Sequence, residues 1–237
     1  MHIKIIYDNT KSKKSLQSGW GFSCLVDGRI LFDTGETSEF LLHNMSQLGV
    51  KPQDIESVVI SHDHWDHTGG LWELLKQRPG LPVYACPGFG SAFKKKVIAL
   101  EGKLIKSSEF RNIDSRITVT GEIPGQYKDA PMPEQALLIK SEQGLIVITG
   151  CSHPGIVNIV EIIKNKFLKI PISLILGGFH LMDKENAEIQ SIVSRLKEMD
   201  VHSVAPTHCT GEEAKMIFQK SFPKNIIHVA VGKQIDI

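Results

Sequence analysis

The chain has almost no net charge to offer a polyanion: 27 basic residues stand against 26 acidic ones. That balance argues against a general nucleic-acid or membrane-surface binder. It contains no C-x-x-C pair. Its four cysteines, Cys24, Cys86, Cys151 and Cys209, are scattered through 237 residues, a length that needs no disulfide staples. No apolar run approaches the ~20 residues of a membrane span. The opening Met1-His2-Ile3-Lys4 lacks a charged leader followed by a long apolar stretch. There is no low-complexity tract and no long linker. These absences predict a reduced, cytoplasmic protein with no nucleic-acid and no membrane partner, organised as one domain over residues 1–237.

What is present is an ordinary globular composition, 41% hydrophobic, enough for a sizeable core. Residues 2–7 alternate as a strand. Segments 20–27 and 29–33 read as a hairpin through Asp27-Gly28, a strong turn signal. Thr37 or Ser38 can cap a helix running to about Leu48, which Gly49 ends. A buried strand is predicted at 57–61, a helix at 71–76 and a strand at 82–86. Weaker signals place a short helix near 89–95 and strands near 103–106 and 116–120. A second hairpin covers 135–140 and 145–149, and a helix follows at 155–166. After a buried strand at 172–176, Ile189, Ile192, Val193, Leu196 and Met199 space an amphipathic helix over 184–199. The chain then reads as strand 201–205, helix 211–220 and a last strand at 226–231.

Chemistry concentrates in His62-Asp63-His64-Trp65-Asp66-His67, which follows an apolar run and precedes Thr68-Gly69-Gly70. Imidazole and carboxylate are preferred ligands of borderline divalent ions. His62 and His64 fall on the same side of an extended segment and can grip one ion. Asp66 and His67, past the turn, can face a second ion roughly 3.5–4 Å away. Asp63 and Trp65 alternate out of that set, and Asp63 is placed to orient a ligand imidazole. The order hairpin, helix, buried strand, histidine occurs over 20–64 and again over 135–180. Two such halves packed face to face would give a four-layer αββα sandwich, with polar residues at the C-terminal ends of strands.

The His62-x-His64-x-Asp66-His67 string with Gly69-Gly70 behind it resembles the signature of the metallo-β-lactamase superfamily. Phe32-Asp33-Thr34-Gly35 is similar to that superfamily's upstream Asp-Thr-Gly. The segments 149–155, 177–181 and 206–211 resemble one branch of it. That branch is named for 7,8-dihydropterin-6-methyl-4-(β-D-ribofuranosyl)-aminobenzene-5′-phosphate synthase. The resemblance covers residues from about 3 to 232. It implies the α/β four-layer sandwich, an Asp33 that supports a ligand histidine, and two divalent ions, with zinc the first choice and iron, manganese or magnesium as alternatives. It assigns His62 and His64 to the first ion and Asp66, His67 and His208 to the second.

The chain departs from the superfamily in two places. The stretch 124–134 has no histidine where a third ligand is expected, so His153 is taken as the replacement. Cys151 occupies the position of a bridging aspartate. A thiolate can bind zinc or iron, but a small buried Cys suits the position equally. His180 reads as a proton donor or a substrate contact, with a ligand role and a structural one as alternatives. Cys209 is read as packing beside the site, and Glu134 is a possible contributor to it.

The implied chemistry is attack by a metal-activated water, with Asp66 and His180 as catalytic residues. The expected enzyme is a metal-dependent hydrolase or a diphosphate-releasing transferase. Its expected substrate is a small phosphorylated or pterin-like metabolite. The lysines at 11, 13 and 14 and at 94–96 read as solvated charge, with a phosphate contact as the alternative. Competing readings are an iron-containing redox protein on the same fold and a non-enzymatic metal-stabilised binding module.

Overall fold

Asp27 and Gly28 both take positive φ, 51° and 74°. That lets the chain reverse between β2 (Ser23–Val26) and β3 (Ile30–Phe32), which pair antiparallel as the turn signal predicted. The computed structural model describes residues 1–237, which divide into two units: Met1–Ser108 with Val229–Ile237, and Glu109–His228.

The first unit is built on a seven-stranded sheet. Its further strands are β1 (His2–Tyr7), β4 (Ser57–Val59), β5 (Pro82–Ala85) and β6 (Lys103–Lys106). The order is Gln234–Asp236, β1, β2, β3, β4, β5, β6. Strands β3 to β6 run parallel. Helices α1 (Ser38–Gln47), α3 (Leu71–Gln77) and α4 (Ser91–Ala99) cover the sheet. Leu41, Met45, Leu71, Leu74, Leu75 and Val97 from these helices join Ile6, Leu25, Leu31, Val58 and Val83 in one core. A single turn, α2 (Trp65–Thr68), lies inside the histidine string itself. Thr37 caps α1, its hydroxyl accepting from the Phe40 amide.

The second unit carries a six-stranded sheet. Its strands are β7 (Arg111–Asn112), β8 (Ile117–Val119), β11 (Leu137–Ser141), β12 (Gly144–Thr149), β13 (Ile172–Gly178) and β14 (Val201–Thr207). A small ribbon of β9 (Gln126–Tyr127) and β10 (Ala130–Pro131) stands apart. Helices α5 (Ile156–Lys166), α6 (Asn186–Glu198) and α7 (Glu212–Ser221) flank the sheet. Ile189, Val193 and Leu196 of α6 are buried, as the helical spacing predicted. With Ile159, Ile163, Val147, Ile175 and Phe218 they form the second core. Burying each such side chain contributes roughly 1.5–3 kcal/mol.

Strands β12, β13 and β14 are parallel and in register, Thr149 beside Gly177 and Gly177 beside Pro206. They therefore deliver Gly150–His153, His180 and His208 at the same sheet end, where ligands gather in open α/β sheets. One expectation fails. Residues 226–231 are not a strand: Ile226 makes a single bridge to Val204, and Val231 a single bridge to Lys11. The closing strand is Gln234–Asp236, which pairs antiparallel with β1.

Candidate metal centre

In the first unit Asp33 organises the histidine string. It is fully buried at φ 53°. Its Oδ1 accepts from the Ser61 amide at 2.7 Å, and its Oδ2 accepts from Ser61 Oγ at 2.7 Å. Oδ2 also meets His67 Nδ1 at 2.7 Å. A carboxylate only accepts, so His67 carries its proton on Nδ1 and presents Nε2 as a lone pair. Ser61 Oγ, having donated to Asp33, accepts from His62 Nδ1 at 2.9 Å. His62 therefore also presents Nε2. One carboxylate sets the tautomer of two imidazoles, one directly and one through a hydroxyl.

The outward nitrogens converge. His62 Nε2 and His64 Nδ1 are 3.2 Å apart. Two nitrogens bound to one tetrahedral zinc at ~2.0–2.1 Å would stand about 3.3–3.4 Å apart, so the pair fits a shared cation. His67 Nε2 lies 3.6 Å from Asp66 Oδ2, a second pair of donor atoms side by side. His62 and His67 are fully buried and Asp66 is 5% exposed, whereas Trp65 between them is 61% exposed. Gly69 makes this turn possible: a Cβ there would collide with the Glu36 carbonyl.

Asp63 does not orient a ligand. Its Oδ2 accepts from the Gly90 amide at 2.6 Å and ties the histidine loop to the start of α4. Among the lysines, Lys94 donates to the Pro87 carbonyl and Lys96 lies over the Trp72 ring at 4.1 Å.

In the second unit the His153 and His180 rings meet at a tilt of 53° with centroids 4.6 Å apart, and Tyr127 meets them edge-on at 5.2 and 5.6 Å. Ligand atoms of Cys151, His153 and His180 lie within 4.8 Å of one another. Nδ1 of His180 is buried without a hydrogen-bond partner. A hydrogen bond with Cys209 raises the His180 pKa against the opposing effect of its burial, and the nearby charges of Cys209, Glu134 and Asp183 add to the rise. Burial pushes the Cys209 thiol up. Hydrogen bonds with Cys151 and His180, with the charges of His208 and His180, outweigh that and hold it well below the usual range. A cleft of about 460 Å³ opens at His153, walled by Pro124, Pro131 and Pro154 with Gly125 and Gln126. His208 is buried, at φ 50° in the turn after β14. Asp33, Ser152, His180 and His208 all hold positive φ, and non-glycine residues in that region concentrate at functional sites.

Two contributors, Ser61 and Tyr127, escaped the sequence reading, and a third, Glu134, stood there only as a possible contributor. Ser61 relays Asp33 to His62, but a serine ending a strand carries no signal of that kind. Tyr127 sits in a stretch with little periodicity. Glu134 accepts from four successive backbone amides. Its signal was a lone carboxylate leading into an apolar hairpin.

Two helix-flanked sheets with histidine and carboxylate donors at strand ends define an α/β protein with candidate metal-ligand groups. Residues 23–168 match the model of the metallo-beta-lactamase superfamily, and the chain belongs to that superfamily. It is 32% identical, across 89% of this chain and 85% of the relative, to the 7,8-dihydropterin-6-methyl-4-(beta-D-ribofuranosyl)-aminobenzene-5'-phosphate synthase of Methanocaldococcus jannaschii. An uncharacterised protein of the same organism is 31% identical over 99% of this chain and 100% of its own length. The crystal structure of Tm1679, a metal-dependent hydrolase of the beta-lactamase superfamily, superposes with a TM-score of 0.85 at 30% identity. That match covers 100% of this chain and 99% of the other. The superfamily is one of enzymes that typically bind divalent metals, and no helix of this chain is long and apolar enough to cross a membrane.

Proposed function

We propose that this chain is a metal-dependent enzyme, a hydrolase or a diphosphate-releasing transferase, acting on a small phosphorylated or pterin-like metabolite. In this reading residues 1–237 work as one domain. His62, His64 and His153 hold one divalent ion, and Asp66, His67 and His208 hold another, zinc being the first choice. The observation that carries it is the Asp33–Ser61 relay, which commits Nε2 of both His62 and His67 to face outward. The name of the relative that makes a pterin-containing phosphate supports the substrate class.

Divalent ions held by these residues would supply Lewis acidity and activate water near neutral pH. The protein's own groups do the rest. Asp66, buried beside His67, orients the attacking oxygen. His180, with Nδ1 free of any partner, passes a proton to the departing group. The proline-walled cleft beside His153 receives the substrate's body, its rigid walls losing little entropy on binding.

The test is metal analysis of protein purified without chelator. It is followed by assays of phosphodiester hydrolysis and of pyrophosphate release from a dihydropterin diphosphate. Turnover abolished by chelation and by His62→Ala supports the reading. Metal-replete protein inert on every phosphate, ester, thioester and lactone offered overturns it.

A further inference from the structure

Glu134 is a charged residue with no exposed surface. Its backbone is pinned by reciprocal hydrogen bonds with Ile123, at 2.8 and 3.0 Å. Its Oε1 accepts from the amides of Gly150, Cys151 and Ser152 at 3.0, 3.0 and 2.9 Å. Its Oε2 accepts from the His153 amide at 2.8 Å. Successive amides converging on one point form an anion-binding nest, and this nest is filled by the protein's own carboxylate.

Residues 150–155 belong to no helix or strand. The segment is also held by Ser152 Oγ donating to the Gly178 carbonyl at 2.7 Å, the Gly178 amide donating to the Gly150 carbonyl at 3.0 Å, Cys209 Sγ donating to the Cys151 carbonyl at 3.8 Å and the Gly155 amide donating to the Ser152 carbonyl at 2.8 Å. Glu134 is thus the one side chain that gathers all four successive amides of the loop carrying Cys151 and His153. It mirrors Asp33, the buried carboxylate that sets the histidines of the other unit.

We propose that Glu134 is a positioning residue for the metal centre, acting through the Gly150–His153 loop to hold His153 in its ligating pose. This rests on the reading of His153 as a ligand given above. Glu134→Gln is nearly isosteric but cannot accept from all four amides, because its NH2 confronts donors. Removing an outer partner of a metal ligand typically weakens metal affinity by about 10–100-fold.

The experiment uses the full chain, stripped by chelator and titrated with Co²⁺. Visible absorption and competition with a chromophoric chelator report the affinity of each equivalent. Amide hydrogen exchange at residues 150–153 is followed in the metal-free protein. Glu134→Gln should speed that exchange, weaken one Co²⁺ equivalent by about 10–100-fold and leave the other within about twofold. In a His153→Ala background it should add nothing to the loss. Unchanged exchange, unchanged Co²⁺ affinity, or an effect fully additive with His153→Ala overturns the proposal. If Glu134→Gln does not fold, Glu134→Asp decides. Its shorter carboxylate should give a smaller loss at the same equivalent, and wild-type affinity would refute the idea. A His153→Ala variant that binds Co²⁺ like wild type instead refutes the ligand assignment. The exchange measurement alone then judges whether Glu134 orders the loop.

Discussion

Asp33→Asn separates orientation from packing. The substitution keeps size and shape, and the amide oxygen can still accept from the Ser61 amide. The NH2 group then faces Ser61 Oγ and His67 Nδ1, both of which donate in the wild type. His67 must move its proton to Nε2, the atom that lies 3.6 Å from Asp66 Oδ2, and it ceases to offer a lone pair there. The expected loss of metal affinity is about 10–100-fold, or about 1.4–2.8 kcal/mol at ~1.4 per factor of ten. Stability should fall by only about 1 kcal/mol, since most of the hydrogen bonds can be remade. Asp33→Ala behaves differently. It strands the Ser61 amide and the His67 Nδ1 proton in a fully buried space, at about 1–3 kcal/mol each, and adds a cavity. The two stranded donors alone set an expected cost of about 2–6 kcal/mol. Urea midpoints report stability, Co²⁺ titration reports affinity, and ¹⁵N chemical shifts of His67 report the tautomer. An Asn variant that keeps the Nδ1–H tautomer and binds metal like wild type refutes the reasoning.

Other outcomes follow from single contacts. Gly69→Ala tests sterics against helix propensity: propensity favours Ala by about 1 kcal/mol, but a Cβ at Gly69 meets the Glu36 carbonyl. Net destabilisation of about 1–3 kcal/mol is expected in urea unfolding, and a stabilised variant would contradict the packing. The Tyr7 phenol is pushed up to about 12, chiefly by burial, with the charge of Glu36 adding and a hydrogen bond with Thr37 opposing. A raised pKa means that Tyr7 adds stability in full below its ordinary value of 10.0 and loses it as pH rises through about 12. Tyrosinate absorbance should show Tyr7 titrating late, and Tyr7→Phe should delete that step; ionisation near 10.0 would refute the burial argument. The Cys24 thiol is raised well above its ordinary range by burial and by Asp33. It should resist a thiol-specific reagent at pH 8 until the protein unfolds, and rapid native labelling of Cys24 would contradict this.

Much of the fold was legible because its signals are local. Asp27-Gly28 declared its turn, Thr37 its cap, and Ile189, Val193 and Leu196 the buried face of α6. The closing strand was not legible. The apolar run at 226–231 looks more strand-like than Gln234–Asp236, yet pairing is decided by which segment reaches the open edge of β1. At the candidate metal centre, the spacing of His62 and His64 foretold their converging nitrogens. Asp63 misled because its partner, Gly90, lies 27 residues away. Ser61 stayed hidden, and Glu134 showed only as a possible contributor, because their roles are set by what folds against them, not by neighbours in the chain.

The central claim is that imidazoles from distant segments serve the same pair of cations. The most direct test is crystallographic: anomalous scattering from metal-loaded protein, collected at the zinc edge. Two peaks are expected, one about 2.0–2.1 Å from nitrogens of His62, His64 and His153, the other at similar range from His67 and His208 with an Asp66 oxygen. Zinc bound elsewhere, or no peak beside these side chains, would contradict it.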